Sequence, residues 1–332
     1  MSRFKLGKLK EEKKSWKDTL IDRVHQGKVL PVIGERITSD IILGSYDDVV
    51  AAWAEYIEYH DTGKATLPQM TQFQSVMFKA DPDIKADDVY IKEVYLDFLQ
   101  KLIASIADED LLEELEYDPN VETMSFSEIA ERLELNGLTE GQENPLLLLA
   151  ELPLSIYITT STATFLEMAL TKAGKTPRTE ICYWDPILSS VPSIFDDPDY
   201  APSPEEPLVY HLHGLDKHPS SLVLTEDDHL DFLANISNDW DGIPLPIRQA
   251  FADSSLMLLG YKLDAWDFRV VFRGLVKASI DQRRVKSVAI QLEGDEKQQN
   301  YLKNYLHQQG DFEVYWGSAQ QFITEIWQGW KG

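Results

Sequence analysis

The second half of the chain alternates short apolar runs with segments of helical length, and this alternation constrains the fold more than any other feature. Uninterrupted apolar runs of roughly four to eight residues are typical of strands buried on both faces of a parallel sheet. The predicted strands are residues 29–33, 156–158, 180–184, 208–212, 221–224, 255–259, 287–292 and 312–316. The sequence therefore predicts an α/β fold, with a Rossmann-like, mostly parallel sheet and helices on both faces.

Helical patterns separate most of these strands and fill a long stretch after the first one. The predicted helices are residues 16–26, 163–173, 226–234, 247–253, 266–279, 296–308 and 319–330. Apolar residues also recur at helical spacing between residues 47 and 149, so we expect a helical insertion there. The expected organisation is a basic N-terminal arm and first helix at 1–28, a first strand and phosphate-type loop at 29–44, a helical insertion or cap at 45–152, and the remainder of the Rossmann-type domain at 153–332.

The 332-residue chain has a formal charge of −25 that is unevenly distributed. Residues 1–28 contain nine basic and four acidic residues, which leaves a charge of −30 on residues 29–332. An acidic body of this kind repels phosphate backbones, so nucleic-acid binding would be confined to the N-terminal arm and is not expected. Docking of a basic protein partner is compatible with this charge.

Cys182 is the only cysteine, which excludes an internal disulfide and a four-cysteine zinc site. No run approaches the roughly 20 apolar residues that a membrane-spanning helix needs. We therefore expect a cytoplasmic protein without membrane association. His218 and His229 lie near several aspartates, but their spacing matches no standard ligand pattern, so no metal is expected.

Glycine and polar residues follow the predicted strands, at the edge of the sheet where doubly wound folds bind ligands. The segments concerned are residues 34–38, 159–162, 211–214, 224–226 and 260–264. Because the carboxyl ends of parallel strands meet at one edge, we expect these segments to bound one cleft.

Three of these segments carry a resemblance to a known family. Residues 209–214 read Val-Tyr-His-Leu-His-Gly, residues 221–228 read Ser-Leu-Val-Leu-Thr-Glu-Asp-Asp, and residues 258–264 read Leu-Leu-Gly-Tyr-Lys-Leu-Asp. In this order and spacing, they resemble the bacterial sirtuin-like proteins of anti-phage defence. The resemblance extends over most of the chain from Val24 onward, including the final strand and helix.

The resemblance implies a sheet that holds an extended NAD⁺ whose nicotinamide–ribose bond is cleaved. His213 matches the family's catalytic base, and Ser161 lies where the family has a catalytic asparagine. His211 is expected to be a core or supporting residue. The positions that match the family's cofactor-binding segments are Gly34, Arg36, Thr38, Thr160, Gly260 and Asp264.

The sequence departs from the family pattern at both ends of the expected ligand. A serine hydroxyl at residue 161 cannot offer the two donors and the carbonyl of an asparagine. Arg36 replaces the second glycine of the family's Gly-Ala-Gly loop, where the backbone approaches a pyrophosphate closely. The simpler interpretation is a solvent-facing loop at Glu35 and Arg36; the alternative is that Arg36 pairs with a phosphate. Lys262 also replaces a family serine.

These departures favour a degenerate module that has kept its fold and lost turnover. It would serve as a scaffold or sensor in a prokaryotic defence assembly, as a homo-oligomer or with a protein partner, and could bind an NAD-type nucleotide. The alternative is an NAD⁺ glycohydrolase that depletes cellular NAD⁺ on activation. A third hypothesis is an interaction protein whose acidic body docks a basic partner.

Overall fold

A parallel sheet is the centre of the computed structural model, which describes residues 15–60, 65–135, 144–238, 242–262, 268, 285, 288–292, 299–300 and 312–332. The strands within these ranges are β1 Val29–Ile33, β2 Ile156–Thr159, β3 Arg178–Ile181, β4 Leu208–His211, β5 Ser255–Leu259, β6 Val288–Leu292 and β7 Phe312–Trp316. They form one sheet in the order β3-β4-β2-β1-β5-β6-β7, and each pairing is parallel. The predicted α/β, Rossmann-like fold is confirmed.

The described residues also form twelve α-helices, and each predicted helix that lies among them is present with slightly different ends. Their bounds are α1 Trp16–His25, α2 Glu35–Ile42, α3 Tyr46–Tyr56, α4 Leu67–Ala80, α5 Tyr90–Ala104, α6 Glu109–Glu116, α7 Phe126–Arg132, α8 Pro145–Glu151, α9 Phe165–Lys172, α10 Glu226–Asn238, α11 Leu245–Asp253 and α12 Ala319–Lys331. The helices predicted at 266–279 and 296–308 fall almost wholly outside the described residues. In the part of the chain described, no helix is long and apolar enough to cross a membrane.

The helices cover both faces of the sheet because successive side chains of a strand point to opposite faces. In β1, Leu30 belongs to a buried cluster that includes Phe232 of α10. Ile33 belongs to a second cluster, which includes Phe322 of α12 and most of the helices between β1 and β2. All five residues of β1 are buried, as expected for a central parallel strand.

The helices between β1 and β2 have a core of their own that is continuous with the sheet. Trp53 of α3 is fully buried, and its ring lies 5.2 Å from the rings of Tyr95 and Phe98 of α5. Two largely buried polar contacts attach this insertion to the loop after β4 and to the first turn of α10. Asp216 accepts hydrogen bonds from the Ser127 amide and hydroxyl, and Lys92 forms an ion pair with Asp228 at 2.9 Å. The proposed domain boundaries at residues 28, 44 and 152 stay predictions.

The strand predicted at residues 221–224 is wrong. The chain forms a 3₁₀ turn at Pro219–Ser221 and then continues as a buried, irregular segment. Its amides are satisfied outside the sheet: the Val223 amide donates to the His213 carbonyl, and the Leu224 and Thr225 amides donate to the Asp228 carboxylate. Burial explains the apolar composition, and these bonds remove the need for a strand partner.

Two glycines lie in contact where β1 and β5 end, at the centre of the sheet. A Cβ atom added to Gly34 would lie 2.5 Å from the Gly260 carbonyl oxygen. A Cβ added to Gly260 would lie 2.6 Å from Cγ1 of Ile37, and Gly260 has a φ of +72°. Neither position therefore has space for a larger residue.

We predict that Gly260→Ala lowers the free energy of unfolding by about 2–4 kcal/mol, because it combines a left-handed backbone with overpacking. Gly174→Ala is the matched control, since Gly174 has a φ of +82° but no atom within 4 Å of its added Cβ. The control should lose only about 1–2 kcal/mol, the cost of the left-handed backbone alone. Urea unfolding of both variants measures the difference, and equal losses would contradict the packing argument.

Candidate functional site

A cavity of about 310 Å³ lies at the carboxyl ends of the strands, between the sheet and the insertion. Residues from four strand ends and from the insertion line it together. The segments after the strands contribute Glu35, Arg36, Thr160, Thr162, His213, Val223, Leu224 and Lys262; α10 contributes His229; and the insertion contributes Tyr46, Asp47, Val50, Ala65, Thr66, Leu67, Pro68 and Tyr95. Since every strand is parallel, the fold brings these distant segments to one edge, as the sequence predicted.

His213 lies two residues after β4 and lines this cavity. Its side chain is 5% exposed, and its ring packs at 5.3 Å from His229 and 5.4 Å from Phe232. Burial, with a smaller contribution from His229, lowers the pKa of His213 well below its ordinary value. Among the described residues, Nε2 of His213 has no hydrogen-bond partner. The site therefore holds a neutral imidazole with an unused nitrogen, which is the form that accepts a proton.

His211 is a buried supporting residue, as the sequence predicted. Its Nδ1 lies 2.7 Å from the Ser161 carbonyl oxygen, and its Nε2 lies 2.8 Å from Oε1 of Glu167. Both partners are acceptors, so both ring nitrogens donate only when the imidazole is protonated. Burial lowers the pKa of His211, but the Glu167 carboxylate offsets this effect and the net pKa is raised. His211 thus fixes the loop after β2, and the Glu167 carboxylate favours its protonated form.

The Ser161 hydroxyl is directed into its own loop. It accepts a hydrogen bond from the Ala163 amide at 3.3 Å, and the Ser161 amide donates to Oγ1 of Thr159 at 2.9 Å. Ser161 is 3% exposed and is not among the residues that line the cavity with His213. Its neighbours Thr160 and Thr162 line the cavity instead. Thr162 belongs to the strand-end segment 159–162 that the sequence indicated, but it was not among the predicted site residues.

The solvent-facing loop expected at Glu35 and Arg36 is wrong, because helix α2 begins there. Gly34 is the N-cap residue, and Glu35 accepts a hydrogen bond from the Ser39 hydroxyl one turn later. The Arg36 side chain is only 17% exposed. Its guanidinium lies over the Tyr46 ring at 4.3 Å and binds Oδ1 of Asp47 at 3.0 Å. Arg36 is therefore held at the wall of the cavity.

Asp47 binds two cations that are far apart in the sequence. Its Oδ1 binds Arg36, and its Oδ2 binds Nζ of Lys262 at 2.8 Å. The hydrogen bond from Lys262 and the neighbouring Arg36 charge lower the pKa of Asp47, although partial burial opposes this shift. The sequence offered no signal for Asp47, which lies 11 residues from Arg36 and 215 from Lys262.

A second cavity of about 370 Å³ lies on the other side of this ion-pair cluster. Arg36, Asp47 and Lys262 line both cavities, and the second one extends past Gly260 to Gln291 and the start of α12. The predicted cofactor residues are therefore divided. Arg36 and Thr160 line the first cavity, and Gly260 and Arg36 line the second.

The remaining predicted residues have other positions. Gly34 caps α2 next to Gly260, and Thr38 is buried within α2 and lines neither cavity. Asp264 lies outside the described residues. Within the described part of the chain, no three histidine, cysteine, aspartate or glutamate side chains gather as a metal site. All site assignments from the sequence stay predictions.

A comparison with protein-family models found a match to the middle of the chain. Residues 155–309 match the SIR2-like domain. This region contains β2 to β6, with His213 and Lys262, and it supports the sirtuin-like resemblance and a function related to NAD. Gly34, Arg36 and the insertion lie outside the matched residues. No curated protein matches the chain.

Burial lowers the pKa of His213 in the folded chain well below its ordinary value of 6.5. As the pH falls below 6.5, the unfolded chain therefore binds a proton at this residue while the folded chain does not. The free energy of unfolding should therefore fall as the pH falls through this value. We predict that His213→Gln makes this dependence shallower by up to about 1.4 kcal/mol per pH unit. Urea unfolding at about pH 7 and about pH 5.5 measures it. The exposed His60→Gln is the control, and identical slopes in the two variants would contradict the prediction.

Proposed function

We propose that the chain is a sirtuin-like module of a prokaryotic defence or conflict system that binds an NAD-type nucleotide without turnover. It would act as a scaffold or sensor in the cytoplasm, as a homo-oligomer or with a protein partner. The observation that carries the proposal is the pairing of a ligand-sized cavity beside His213 with a Ser161 hydroxyl that faces its own loop. The first feature supports binding, and the second argues against catalysis.

The described residues fit an extended dinucleotide in general form. The cavity of 310 Å³ has His213, Thr160 and Thr162 in its wall, and these would hold the nicotinamide–ribose end. Arg36 and Lys262 lie between the two cavities, where a diphosphate would need cations. The unpartnered Nε2 of His213 is a buried polar atom that a ribose hydroxyl would satisfy. When bound, NAD⁺ supplies the labile nicotinamide–ribose bond.

Turnover needs more than a base beside the ribose. Departure of nicotinamide leaves an oxocarbenium-like centre, and a preorganised group must hold the attacking water or hydroxyl. Losing one such contact typically costs roughly 10²–10³ in rate. The Ser161 hydroxyl already accepts the Ala163 amide, while the neutral His213 alone provides a base without a positioned nucleophile. Binding without cleavage is the expected result.

The proposal predicts that NAD⁺ and ADP-ribose bind the wild-type chain in isothermal titration. His213→Ala should weaken NAD⁺ binding roughly tenfold, because it removes a buried polar contact worth about 1.4 kcal/mol. Nicotinamide release over many hours, followed by chromatography, should stay at the rate of free NAD⁺ in both proteins. Release by the wild type that is abolished by His213→Ala would overturn the non-catalytic assignment.

The second candidate is an NAD⁺ glycohydrolase that depletes cellular NAD⁺ on activation. The observation that favours it is the neutral His213 imidazole, whose Nε2 is unpartnered among the described residues. A catalytic Ser161 would require its hydroxyl to leave the Ala163 amide and reach the cavity. This candidate predicts that expression is toxic, with cellular NAD⁺ falling.

Two variants separate the candidates. A glycohydrolase loses its toxicity with His213→Ala and also with Ser161→Ala, which removes the hydroxyl but not the loop. The proposed module is non-toxic in all three forms, and Ser161→Ala leaves its NAD⁺ affinity unchanged within about twofold, since the hydroxyl does not line the cavity. Cellular NAD⁺ measured after induction decides between them.

A further inference from the structure

The Asp47 carboxylate lies on the boundary between the two cavities. A phosphorylated ligand at this position would need a positive charge, whereas Asp47 is negatively charged. Its two oxygens are divided between two cations, with Arg36 on Oδ1 at 3.0 Å and Lys262 on Oδ2 at 2.8 Å. Two cations can bind separate oxygens of a phosphate by charge-assisted hydrogen bonds in the same way. Asp47 therefore occupies the position of an anionic ligand.

The cluster has one fixed side and one movable side. Arg36 is 17% exposed and stacked on Tyr46, so its guanidinium is held in place. The side chains of Asp47 and Lys262 are 65% and 45% exposed. An ion pair this exposed contributes only about 0–1 kcal/mol, so a stronger anion can displace its carboxylate.

Asp47 can leave this position without unfolding the helix that carries it. Helix α3 begins at Tyr46, and its N-cap is formed by Ser45 and Asp48: the Ser45 hydroxyl accepts from the Asp48 amide and donates to the Asp48 carboxylate. The Tyr46 amide donates to Asp40. Asp47 takes no part in these bonds, and among the described residues its carboxylate binds the two cations alone.

We propose that Asp47 is a built-in counter-anion that closes the boundary between the two cavities and that a diphosphate ester must displace it to bind across them. Arg36 and Lys262 are then the cations that bind the diphosphate, and Asp47 sets the affinity by competing for them. This inference deepens the proposed function and rests on it in one respect: the proposed function supplies the class of ligand, a nucleoside diphosphate. Arg36 and Lys262 are both positions at which this chain departs from the family pattern.

The class of ligand follows from charge and spacing. Two cations from separate elements flank one carboxylate, so displacing Asp47 leaves two positive groups for two phosphates. A neutral nucleoside would gain nothing from the displacement. A single carboxylate would only replace Asp47 with an equivalent group. A diphosphate carries enough charge to compete with Asp47, and each phosphate can take one cation.

The test is the affinity of the whole chain for ADP, ADP-ribose, NAD⁺ and inorganic pyrophosphate, measured by titration calorimetry. Asp47→Asn keeps the shape of the side chain and removes its charge. We expect it to bind ADP and ADP-ribose roughly tenfold more tightly than the wild type, which corresponds to about 1.4 kcal/mol. Lys262→Met, added to Asp47→Asn, should abolish this gain, as should Arg36→Gln.

Asp97→Asn is the matched control, because Asp97 forms a similar exposed ion pair with Lys101 at 2.6 Å and lines neither cavity. It removes the same charge from the chain and should leave all affinities unchanged. A gain of similar size in Asp97→Asn would show a general effect of net charge and would overturn the proposal. Thermal unfolding of each variant confirms that it is folded.

The outcomes separate this proposal from the proposed function. If NAD⁺ binds the wild type and Asp47→Asn leaves that affinity unchanged or weaker, the displacement is wrong and the nucleotide module stands. If pyrophosphate and ADP bind Asp47→Asn more tightly while NAD⁺ binds neither protein, the displacement stands and the nucleotide assignment is wrong. If Asp47→Asn binds none of the four probes, both are wrong.

Discussion

The close approach of Gly34 and Gly260 positions Arg36 and Lys262, the two cations that line both cavities. The two glycines follow the central strands β1 and β5; a Cβ on Gly34 would meet the Gly260 carbonyl oxygen, and a Cβ on Gly260 would meet the Ile37 side chain. Because Gly34 starts helix α2 at this point, Arg36 is directed along the wall of the cavity. Because Gly260 turns the chain with a positive φ, Lys262 reaches the same wall from the other strand. Arg36 and Lys262 therefore both reach Asp47 and form the ion-pair cluster with it.

The two histidines near the end of β4 show how a small change of backbone separates two electrostatic roles. Residues two positions apart share a face as long as a strand continues. Strand β4 ends at His211, however, and the turn that follows directs His213 towards Phe232 of α10 while His211 contacts Glu167 of α9. Glu167 raises the pKa of His211, whereas burial without an acidic partner lowers the pKa of His213. His211 supports the loop after β2, and His213 lines the first cavity.

The sequence predicts those features that depend on local pattern. Buried strands carry their signal in consecutive apolar residues, five in β1 and four in β5, and the position of His213 follows from the end of its strand. The failures are non-local. The apolar segment after Ser221 resembles a strand, but its amides bind Asp228 and the His213 carbonyl. Asp47 meets Lys262 across 215 residues, so no spacing rule could reveal it. The start of α2 after Gly34 was predictable from the sequence, because an acidic residue in the first turn favours a helix N-terminus.

The insertion contributes side chains to the wall of the first cavity. Tyr46, Asp47 and Tyr95 all line the first cavity and all belong to insertion helices. The same unit is attached to the strand loops by Ser127 on Asp216 and by the nearly buried pair of Lys92 with Asp228. Asp228 also accepts the Leu224 and Thr225 amides, directly before the helix that carries His229. A shift of the insertion would therefore move the carboxylate at residue 47 and the wall of the first cavity beside His213 together.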